Sequence, residues 1–276
     1  TWIIREIESP KGYVLSEEEI AVTIGKVDEV VEIELVNYFI KGNIALTKVD
    51  EDYPDNKLSG AVFEVYSDTN GDGKLDKDDT LLGEMKELDG GVYQMSELRY
   101  GKYLVKETKA PTGFVLDENV YAVSVEENGK TYTVENKAGV GFINAAQKGS
   151  LKIVKTSSDG KVEGFSFRVT GVGYDQTFKT DKNGEIVIEG LRIGDYTVSE
   201  VSNKASAGYI LPADKQATVK VDATAIVQMH NEFRDTPKTG DDFNLGLWVS
   251  LAALSVVGAG VLGFVGYKNR KKKKED

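Results

Sequence analysis

The 276-residue sequence contains no cysteine, one histidine and five prolines, and these shortages exclude several kinds of chemistry. Without cysteine the chain has no disulfide, no thiol nucleophile and no thiolate metal site. The single histidine, His230, excludes a histidine-based metal cage and leaves little for a Ser-His-Asp mechanism. The formal net charge of -11 argues against a nucleic-acid partner, because phosphate binding requires a basic surface. We therefore expect neither nucleic-acid binding nor an enzyme that acts on an external substrate.

Charge is also absent from a long run near the C-terminus. Residues 243–267 are uncharged, and at ~1.5 Å per residue a helix of this length crosses a ~30 Å hydrocarbon core. Trp248 and Tyr267 lie near its two ends, as is typical of a membrane interface. Six basic and two acidic residues follow at 268–276, so the positive-inside rule places this tail in the cytoplasm. The sequence thus predicts one C-terminal transmembrane helix, with the acidic body outside the membrane.

A short polar motif, Thr236-Pro237-Lys238-Thr239-Gly240, precedes the apolar run. Pro237 disfavours helix at the preceding residue, so we expect the motif to be extended. The motif, the apolar span and the basic tail together resemble the LPXTG-type cell-wall sorting signal of Gram-positive surface proteins. The resemblance implies that a sortase, a membrane transpeptidase, cleaves the Thr239–Gly240 bond and joins Thr239 to an amine. Thr236 replaces the usual leucine of that family, which leaves the class of sortase open.

This resemblance implies a location and a set of partners. The protein would pass through the plasma membrane with its C-terminus in the cytoplasm, and then become covalently attached to the cell wall at the cell surface. Its partners would be a sortase, an amine of peptidoglycan or of a pilus subunit, and a host extracellular matrix protein bound by a missing N-terminal region. The chain lacks an initiator methionine and a signal peptide, so we expect a C-terminal fragment of a longer protein.

Most of the remaining sequence is a tandem repeat. LRYGKYLVKE at 98–107 and LRIGDYTVSE at 191–200 share the pattern Leu-Arg-x-Gly-x-Tyr-x-Val-x-Glu, and TWIIRE at 1–6 fits its end. Short β-branched and aromatic runs with polar alternation are separated by DG, NG and GD turns, without sustained helical periodicity. We therefore expect an all-β fold of tandem antiparallel β-sandwich modules. The predicted parts are a partial module at 1–40, complete modules at 41–147 and 148–234, and a sorting signal at 235–276.

Strand parity places polar residues at core-facing positions, because residues two apart on a strand share a face. Lys48, for example, follows Ile44 and Leu46 on one face, and Trp2 and Ile4 precede Glu6 in the same way. The core-facing polar residues are Lys48, Glu107 and Asn144 in the first complete module, Lys155, Glu200 and Asn231 in the second, and Glu6 and Asn37 in the partial one. The neighbouring Lys152 has the opposite parity and should face outward.

Burial of a lone lysine or glutamate is costly, and it lowers the pKa of the amine and raises that of the acid. A neutral lysine can attack the asparagine carbonyl while the glutamate relays protons and ammonia leaves, which forms an isopeptide bond. The other interpretation is an ordinary lysine–glutamate salt bridge at strand ends that reach solvent.

The repeats resemble the CnaB-type (SpaA-like, prealbumin-like) domains of Gram-positive adhesins and pilins. The marks are TKVDEDYPDNKLSGAVFEVY at 47–66, the YLVKETKAPTGF box at 103–114 and the asparagine on the last strand. In that family such isopeptide bonds form spontaneously, within the module itself. The implied bonds are Lys48–Asn144, promoted by Glu107, and Lys155–Asn231, promoted by Glu200. Glu6 and Asn37 would belong to a module whose lysine lies upstream of residue 1.

The segment DTNGDGKLDKDD at 68–79 has the ligand spacing of an EF-hand loop. The ligand positions 1, 3, 5, 7, 9 and 12 fall on Asp68, Asn70, Asp72, Lys74, Asp76 and Asp79. Gly73 occupies the turn position, and Lys74 would contribute its backbone carbonyl. Two interpretations stay open: a hairpin stiffened by a structural calcium ion, or an acidic turn solvated by water. We expect no other cofactor.

These features favour the wall-anchored stalk of an adhesin, whose crosslinked modules present an N-terminal adhesive region. One alternative is a pilus subunit polymerised by a pilin-type sortase, although the Tyr-Pro-Lys motif of major pilins does not occur in this sequence. Another alternative is a single-pass membrane protein that is never sorted.

Overall fold

The computed structural model describes residues 1–234, and every helix or strand assigned in that range is a β-strand. The all-β prediction is confirmed for this part of the chain. The predicted sorting motif at 236–240, the apolar span at 243–267 and the basic tail at 268–276 lie outside the described residues. Between residues 1 and 234 there is no helix of the length and apolarity needed to cross a membrane.

The first 40 residues contain two strands, β1 (Trp2–Arg5) and β2 (Glu19–Val22), which pair antiparallel with each other. Trp2 is 68% exposed and Ile4 is 37% exposed, so the expectation that they face a core is wrong. The physical reason is that no other strand within residues 1–234 packs extensively on this two-stranded sheet. The last strand expected before Asn37 is also not formed.

Residues 41–147, here called the first module, form two sheets around one apolar core. The strands are β3 (Lys41–Asp50), β4 (Val62–Ser67), β5 (Thr80–Glu84), β6 (Lys86–Asp89), β7 (Val92–Arg99), β8 (Gly101–Lys109), β9 (Val120–Val125), β10 (Thr131–Thr133) and β11 (Phe142–Asn144). One sheet has the order β10-β3-β7-β6, with β11 also paired to β3, and the other has the order β5-β4-β8-β9. Phe63 packs edge-on against Tyr93 and Phe142 between the sheets.

Residues 148–234, here called the second module, repeat this architecture. The strands are β12 (Lys148–Ser157), β13 (Ser166–Gly171), β14 (Tyr174–Lys179), β15 (Glu185–Arg192), β16 (Gly194–Val201), β17 (Tyr209–Ile210), β18 (Lys215–Val219) and β19 (Thr224–Phe233). The two sheets have the orders β15-β12-β19-β17 and β14-β13-β16-β18. Phe165 and Tyr209 meet edge to face in the core between them.

The first and last strands of each module run parallel, which corrects the expectation of purely antiparallel sandwiches. β12 pairs parallel with β19 from Ser150 to Ser157, and β3 pairs parallel with β10 and β11. The other strand pairs of residues 1–234 are antiparallel. A chain that enters a module at one end and leaves at the other must run its first and last strands in the same direction. Tandem connection therefore accounts for the parallel pair.

Candidate functional site: buried lysine, glutamate and asparagine

Each complete module carries one lysine, one glutamate and one asparagine in its core. The residues are Lys48 on β3, Glu107 on β8 and Asn144 on β11, and then Lys155 on β12, Glu200 on β16 and Asn231 on β19. All six are buried, with at most 8% of any of them exposed. The strand-parity prediction that they face the core is confirmed, because burial alternates along these strands. We call each set of three residues a triad.

In the first triad, the carboxyl group of Glu107 lies between the other two side chains. Its Oε1 is 3.8 Å from Nζ of Lys48. Asn144 Nδ2 donates hydrogen bonds to both carboxyl oxygens, at 3.0 and 2.9 Å. The backbone N–H of Asp117 donates to Oε2 at 2.8 Å, which fixes the carboxyl group from a third side. The acid therefore contacts both the amine and the amide nitrogen.

The burial of the first triad changes the proton affinities of its members. Desolvation lowers the pKa of Lys48 to about 8, although the negative charges of Glu107 and Asp117 oppose that change. Desolvation raises the pKa of Glu107, against the hydrogen bonds that it accepts from Asp117 and Asn144. Both shifts favour the neutral forms, because burial penalises charge. A neutral amine has the lone pair that attacks a carbonyl, and a protonated acid can supply a proton.

The amide oxygen of Asn144 has no hydrogen-bond partner within the described residues, although it is buried. Rotation of the amide by a half-turn about Cβ–Cγ exchanges the positions of Oδ1 and Nδ2. A protonated Glu107 can then donate a hydrogen bond to Oδ1. Such a bond would draw electron density from the carbonyl carbon and make it more open to attack.

Asp117 supports the first triad, and the sequence analysis missed it. Its Oδ2 accepts hydrogen bonds from the Tyr121 hydroxyl at 2.7 Å and from Asn136 Nδ2 at 2.8 Å. Asn136 Oδ1 in turn accepts from the backbone N–H of Ile143 at 2.7 Å. Asp117 thereby ties the loop that holds Glu107 to strand β11.

The second triad makes fewer contacts. Asn231 Nδ2 donates to Glu200 Oε1 at 2.8 Å, but Lys155 Nζ donates to the carbonyl oxygen of Thr156 and forms no direct ion pair with Glu200. Glu200 Oε2 and Asn231 Oδ1 are buried and have no hydrogen-bond partner among residues 1–234. Desolvation again lowers the pKa of the lysine and raises that of the glutamate. The three chemical groups are the same, and their assembly is looser.

The partial module keeps the glutamate–asparagine contact. Asn37 Nδ2 donates to Glu6 Oε2 at 2.7 Å, and the backbone N–H of Ser16 donates to the same oxygen at 2.7 Å. The Ser16 contact corresponds to that of Asp117 with Glu107, since both partners lie ten residues after the glutamate. The glutamate–asparagine contact thus recurs in all three copies of the repeat.

Lys152, the neighbouring lysine of the second module, lies on the outer side of β12. Its Nζ is 2.7 Å from Glu185 Oε1, and its side chain is 30% exposed. Its predicted outward orientation is confirmed, and Lys155 is the lysine that enters the core.

The acidic loop at 68–79 closes on its own backbone. Asp68 accepts hydrogen bonds from the N–H groups of Gly71 and Gly73, and Asp79 accepts from those of Thr69 and Asp76. Gly73 has φ = +76°, a left-handed conformation suited to the predicted turn position. Within residues 1–234 no group of three or more acidic or histidine side chains is placed to hold a metal ion. Calcium binding by this loop stays a prediction.

The chain thus belongs to the class of proteins built from tandem prealbumin-like β-sandwich modules, and each complete module carries a buried triad. The SpaA family of prealbumin-like fold domains matches residues 42–138 and 149–233, and the chain belongs to this family. Among curated proteins none matches the chain. The TIE protein of Bacillus anthracis is structurally similar, with a TM-score of 0.63 and 27% identity, over 84% of this chain and 41% of its own. This chain thus spans less than half of that protein.

Two pilins with solved structures match with lower TM-scores. GBS52, the minor pilin of Streptococcus agalactiae, is 18% identical over 72% of this chain and 99% of its own, with a TM-score of 0.33. The shaft pilin SpaA of Lactobacillus rhamnosus GG is 14% identical over 70% of this chain and 98% of its own, with a TM-score of 0.32. No enzyme family was found for the chain beside its SpaA domains.

Proposed function

We propose that this protein is the wall-anchored stalk of a Gram-positive surface protein, and that each complete module is stapled by an internal isopeptide bond. The burial of a lysine, a glutamate and an asparagine in both modules is the observation that carries the proposal. A chain without cysteine has no disulfide to stabilise it outside the cell, and a lysine–asparagine bond would serve the same purpose.

The proposed reaction is an amide exchange. The neutral Nζ of Lys48 attacks Cγ of Asn144 while protonated Glu107 donates its proton to Oδ1, and the resulting carboxylate takes the proton that the amine loses. Glu107 passes that proton to Nδ2, which leaves as ammonia, and it recovers the proton of Oδ1 as the carbonyl re-forms, so the acid ends protonated as it began. The 3.8 Å contact with the lysine and the 3.0 and 2.9 Å contacts with Nδ2 support this relay. Lys155, Glu200 and Asn231 would react in the same way.

The intact mass of the denatured chain tests the crosslinks directly. We expect the wild-type mass to be lower than the sequence mass by two molecules of ammonia. The Glu107→Ala and Glu200→Ala variants should each regain one ammonia, and digestion should show which peptides are joined. A wild-type mass equal to the sequence mass would refute the reaction, although the fold would be unaffected.

The sorting proposal rests on the sequence at 236–276, and the wall fraction of the producing cells tests it. We expect muramidase digests to release the protein ending at Thr239, joined to a peptidoglycan fragment. The Thr239→Ala variant should stay in the membrane fraction and keep its tail. Release in ladders of regularly increasing mass would instead support the pilus alternative, and an uncleaved wild-type chain would support the unsorted membrane protein.

A further inference from the structure

The junctions between consecutive modules are built by the same backbone contacts each time. Where the first module meets the second, Gln147 N–H donates to the Gly113 carbonyl at 2.8 Å and Ile193 N–H donates to the Gln147 carbonyl at 3.1 Å. The connecting residue is therefore held on one side by its own module and on the other side by the next. A linker with both backbone groups engaged cannot swivel freely.

The earlier junction repeats both of these hydrogen bonds. Ile40 N–H donates to the Gly12 carbonyl at 2.9 Å, and Tyr100 N–H donates to the Ile40 carbonyl at 2.9 Å. Ile193 and Tyr100 each follow the arginine of the Leu-Arg-x-Gly pattern. Gly12 and Gly113 belong to two matching segments, SPKGY at 9–13 and APTGF at 110–114, here called the glycine boxes. Two recurring sequence motifs thus meet across each junction.

The arginine of the pattern also reaches the preceding module. Arg99 places its guanidinium 3.9 Å from the centre of the Phe39 ring, and Arg192 lies 4.9 Å from that of Tyr53. Stacking of this kind suits the flat guanidinium group, which a lysine could not reproduce. Both arginines therefore contact an aromatic ring in the residues before their own module.

Arg192 makes a second and stronger contact. Its Nη1 and Nη2 donate to the two oxygens of Asp50 at 2.6 and 2.7 Å, and Nη2 also donates to Asp52 at 2.9 Å. Asp50 is 2% exposed, although it is charged and lies at the end of β3. Burial acts to raise the pKa of Asp50, but the hydrogen bonds from Arg192 and the Asp52 backbone hold it below its usual value.

A buried carboxylate in a bidentate ion pair with arginine is costly to disrupt, whichever of the two residues is substituted. Removal of the arginine would leave the carboxylate of Asp50 desolvated and without its charge partner. Nζ of Lys148, in the second module, lies 3.3 Å from Oδ2 of Asp52 and adds a further ion pair across the junction. The contact is therefore specific in geometry as well as in charge.

We propose that the Leu-Arg-x-Gly motif is the joint of this repeat, and that Asp50 and Asp52 form a socket in which Arg192 locks the second module onto the first. The glycine-box hydrogen bonds hold the linker, and the arginine fixes the rotation of the following module about it. The two modules then move as one rigid rod. This inference concerns the junction and does not depend on the proposed crosslinks.

Distance measurements between the modules test the joint. The chain has no cysteine, so Glu84→Cys on β5 and Val187→Cys on β15 introduce two specific sites for nitroxide labels at exposed positions. Double electron–electron resonance on the full chain in detergent micelles should give one narrow distance distribution. Arg192→Ala and Asp50→Asn should each broaden it, with roughly a doubling of its width, because adjoining domains move freely without a firm interface.

Arg168→Ala is the matched control, because Arg168 forms a surface ion pair with Asp175 inside the second module. This variant should keep the narrow distribution. Circular dichroism shows whether each variant retains its strands, and Asp50→Asn, which preserves side-chain shape, provides the answer if Arg192→Ala does not fold. Distributions as narrow as the wild type in folded Arg192→Ala or Asp50→Asn would overturn the proposal.

Discussion

The two complete modules hold the same three side chains, yet they surround the central glutamate differently. Glu107 contacts the lysine and the asparagine of its triad and accepts a hydrogen bond from the backbone of Asp117. Glu200 contacts Asn231 and leaves one carboxyl oxygen buried without a partner in the described residues. The strands therefore bring the triad together, and the loop after the glutamate decides how firmly it is held.

The difference lies four residues after the glycine that follows each glutamate, at Asp117 after Gly113 and at Pro212 after Gly208. The first module has Asp117 at that place, in a loop that is anchored to Tyr121 and Asn136. The second module has Pro212 there, which has no backbone N–H to donate to Glu200 and no polar side-chain group to anchor the loop. We therefore expect the first triad to react faster than the second.

The largest expected effect is the loss of a crosslink. Glu107→Ala should leave the Lys48–Asn144 bond unformed and lower the free energy of unfolding by about 4–5 kcal/mol, if the chain-entropy relation for disulfides applies to a loop of this length. Glu200→Ala should do the same for the second module. Chemical denaturation combined with intact mass measures both quantities.

Glu84→Ala serves as the control for these variants, because Glu84 is an exposed residue of β5. It should keep both crosslinks and change stability only slightly. If Glu107→Ala retained its crosslink, the acid would have no part in the reaction.

The next largest effect concerns Asp117, which is present in the first module and has no acidic counterpart in the second. Asp117→Ala should slow crosslinking of the first module by roughly 10- to 100-fold, because loss of the loop anchor lets Glu107 leave its productive position. Protein recovered unfolded from inclusion bodies can be diluted to start folding, and the mass of each module's peptides followed over time. The second module of the same chain is the internal control and should react at its usual rate.

Asp117 also carries a negative charge that opposes the lowering of the Lys48 pKa. Loss of this charge alone would favour the neutral amine, and it would also favour the ionised form of Glu107, because the same charge raises the Glu107 pKa. Asp117→Asn, which keeps the shape of the side chain, separates these charge effects from the loss of the loop anchor. A faster reaction in Asp117→Ala would contradict the positioning role assigned here.

The pH dependence of the crosslinking rate gives a further test of the first triad. Reaction of the first triad requires neutral Lys48, with a pKa lowered to about 8, and protonated Glu107, with a pKa raised by burial. The rate should be highest between those two pKa values. It should fall by about tenfold per pH unit below the window, where the amine is charged, and above it, where the acid is ionised. The refolding assay in buffers of different pH measures this profile, and a flat profile would exclude the relay.

The smallest effect concerns the acidic loop, which the second module does not share. If the loop binds calcium as its spacing predicts, calcium at ten times the dissociation constant should stabilise the first module by about 1.4 kcal/mol. Asp72→Asn should weaken that response, whereas Asp78→Asn should not, because Asp78 is outside the predicted ligand positions. Calorimetric titration checks both variants, and no heat with the wild type would favour the solvated turn.

Much of the fold and the triads could be predicted, because alternation along a strand is a local property. The runs that became β3, β12 and β16 show this alternation in the sequence, and it places Lys48, Lys155 and Glu200 inward. The same rule failed for Trp2 and Ile4. Successive side chains of β1 also point to opposite faces, but parity indicates a core only where a second sheet covers one of those faces.

The residues that support the triads and the module junction could not be predicted from alternation along a strand. Asp117 acts from an irregular loop, where no periodicity tells which way a side chain points. The partners Arg192 and Asp50 are 142 residues apart, and no sequence motif that contains one of them indicates that it contacts the other. The parallel pairing of first and last strands likewise depends on the path of the whole chain through the module.

By itself the sequence determined which side chains point into each core and where the modules repeat, since extended backbone sends successive residues to opposite faces regardless of their distant neighbours. Only the tertiary structure decided that Glu107 contacts both Lys48 and Asn144, and that Arg192 enters a socket on another module. Those contacts join atoms from distant segments. Their distances depend on how sheets stack and modules abut, which is a property of the whole fold.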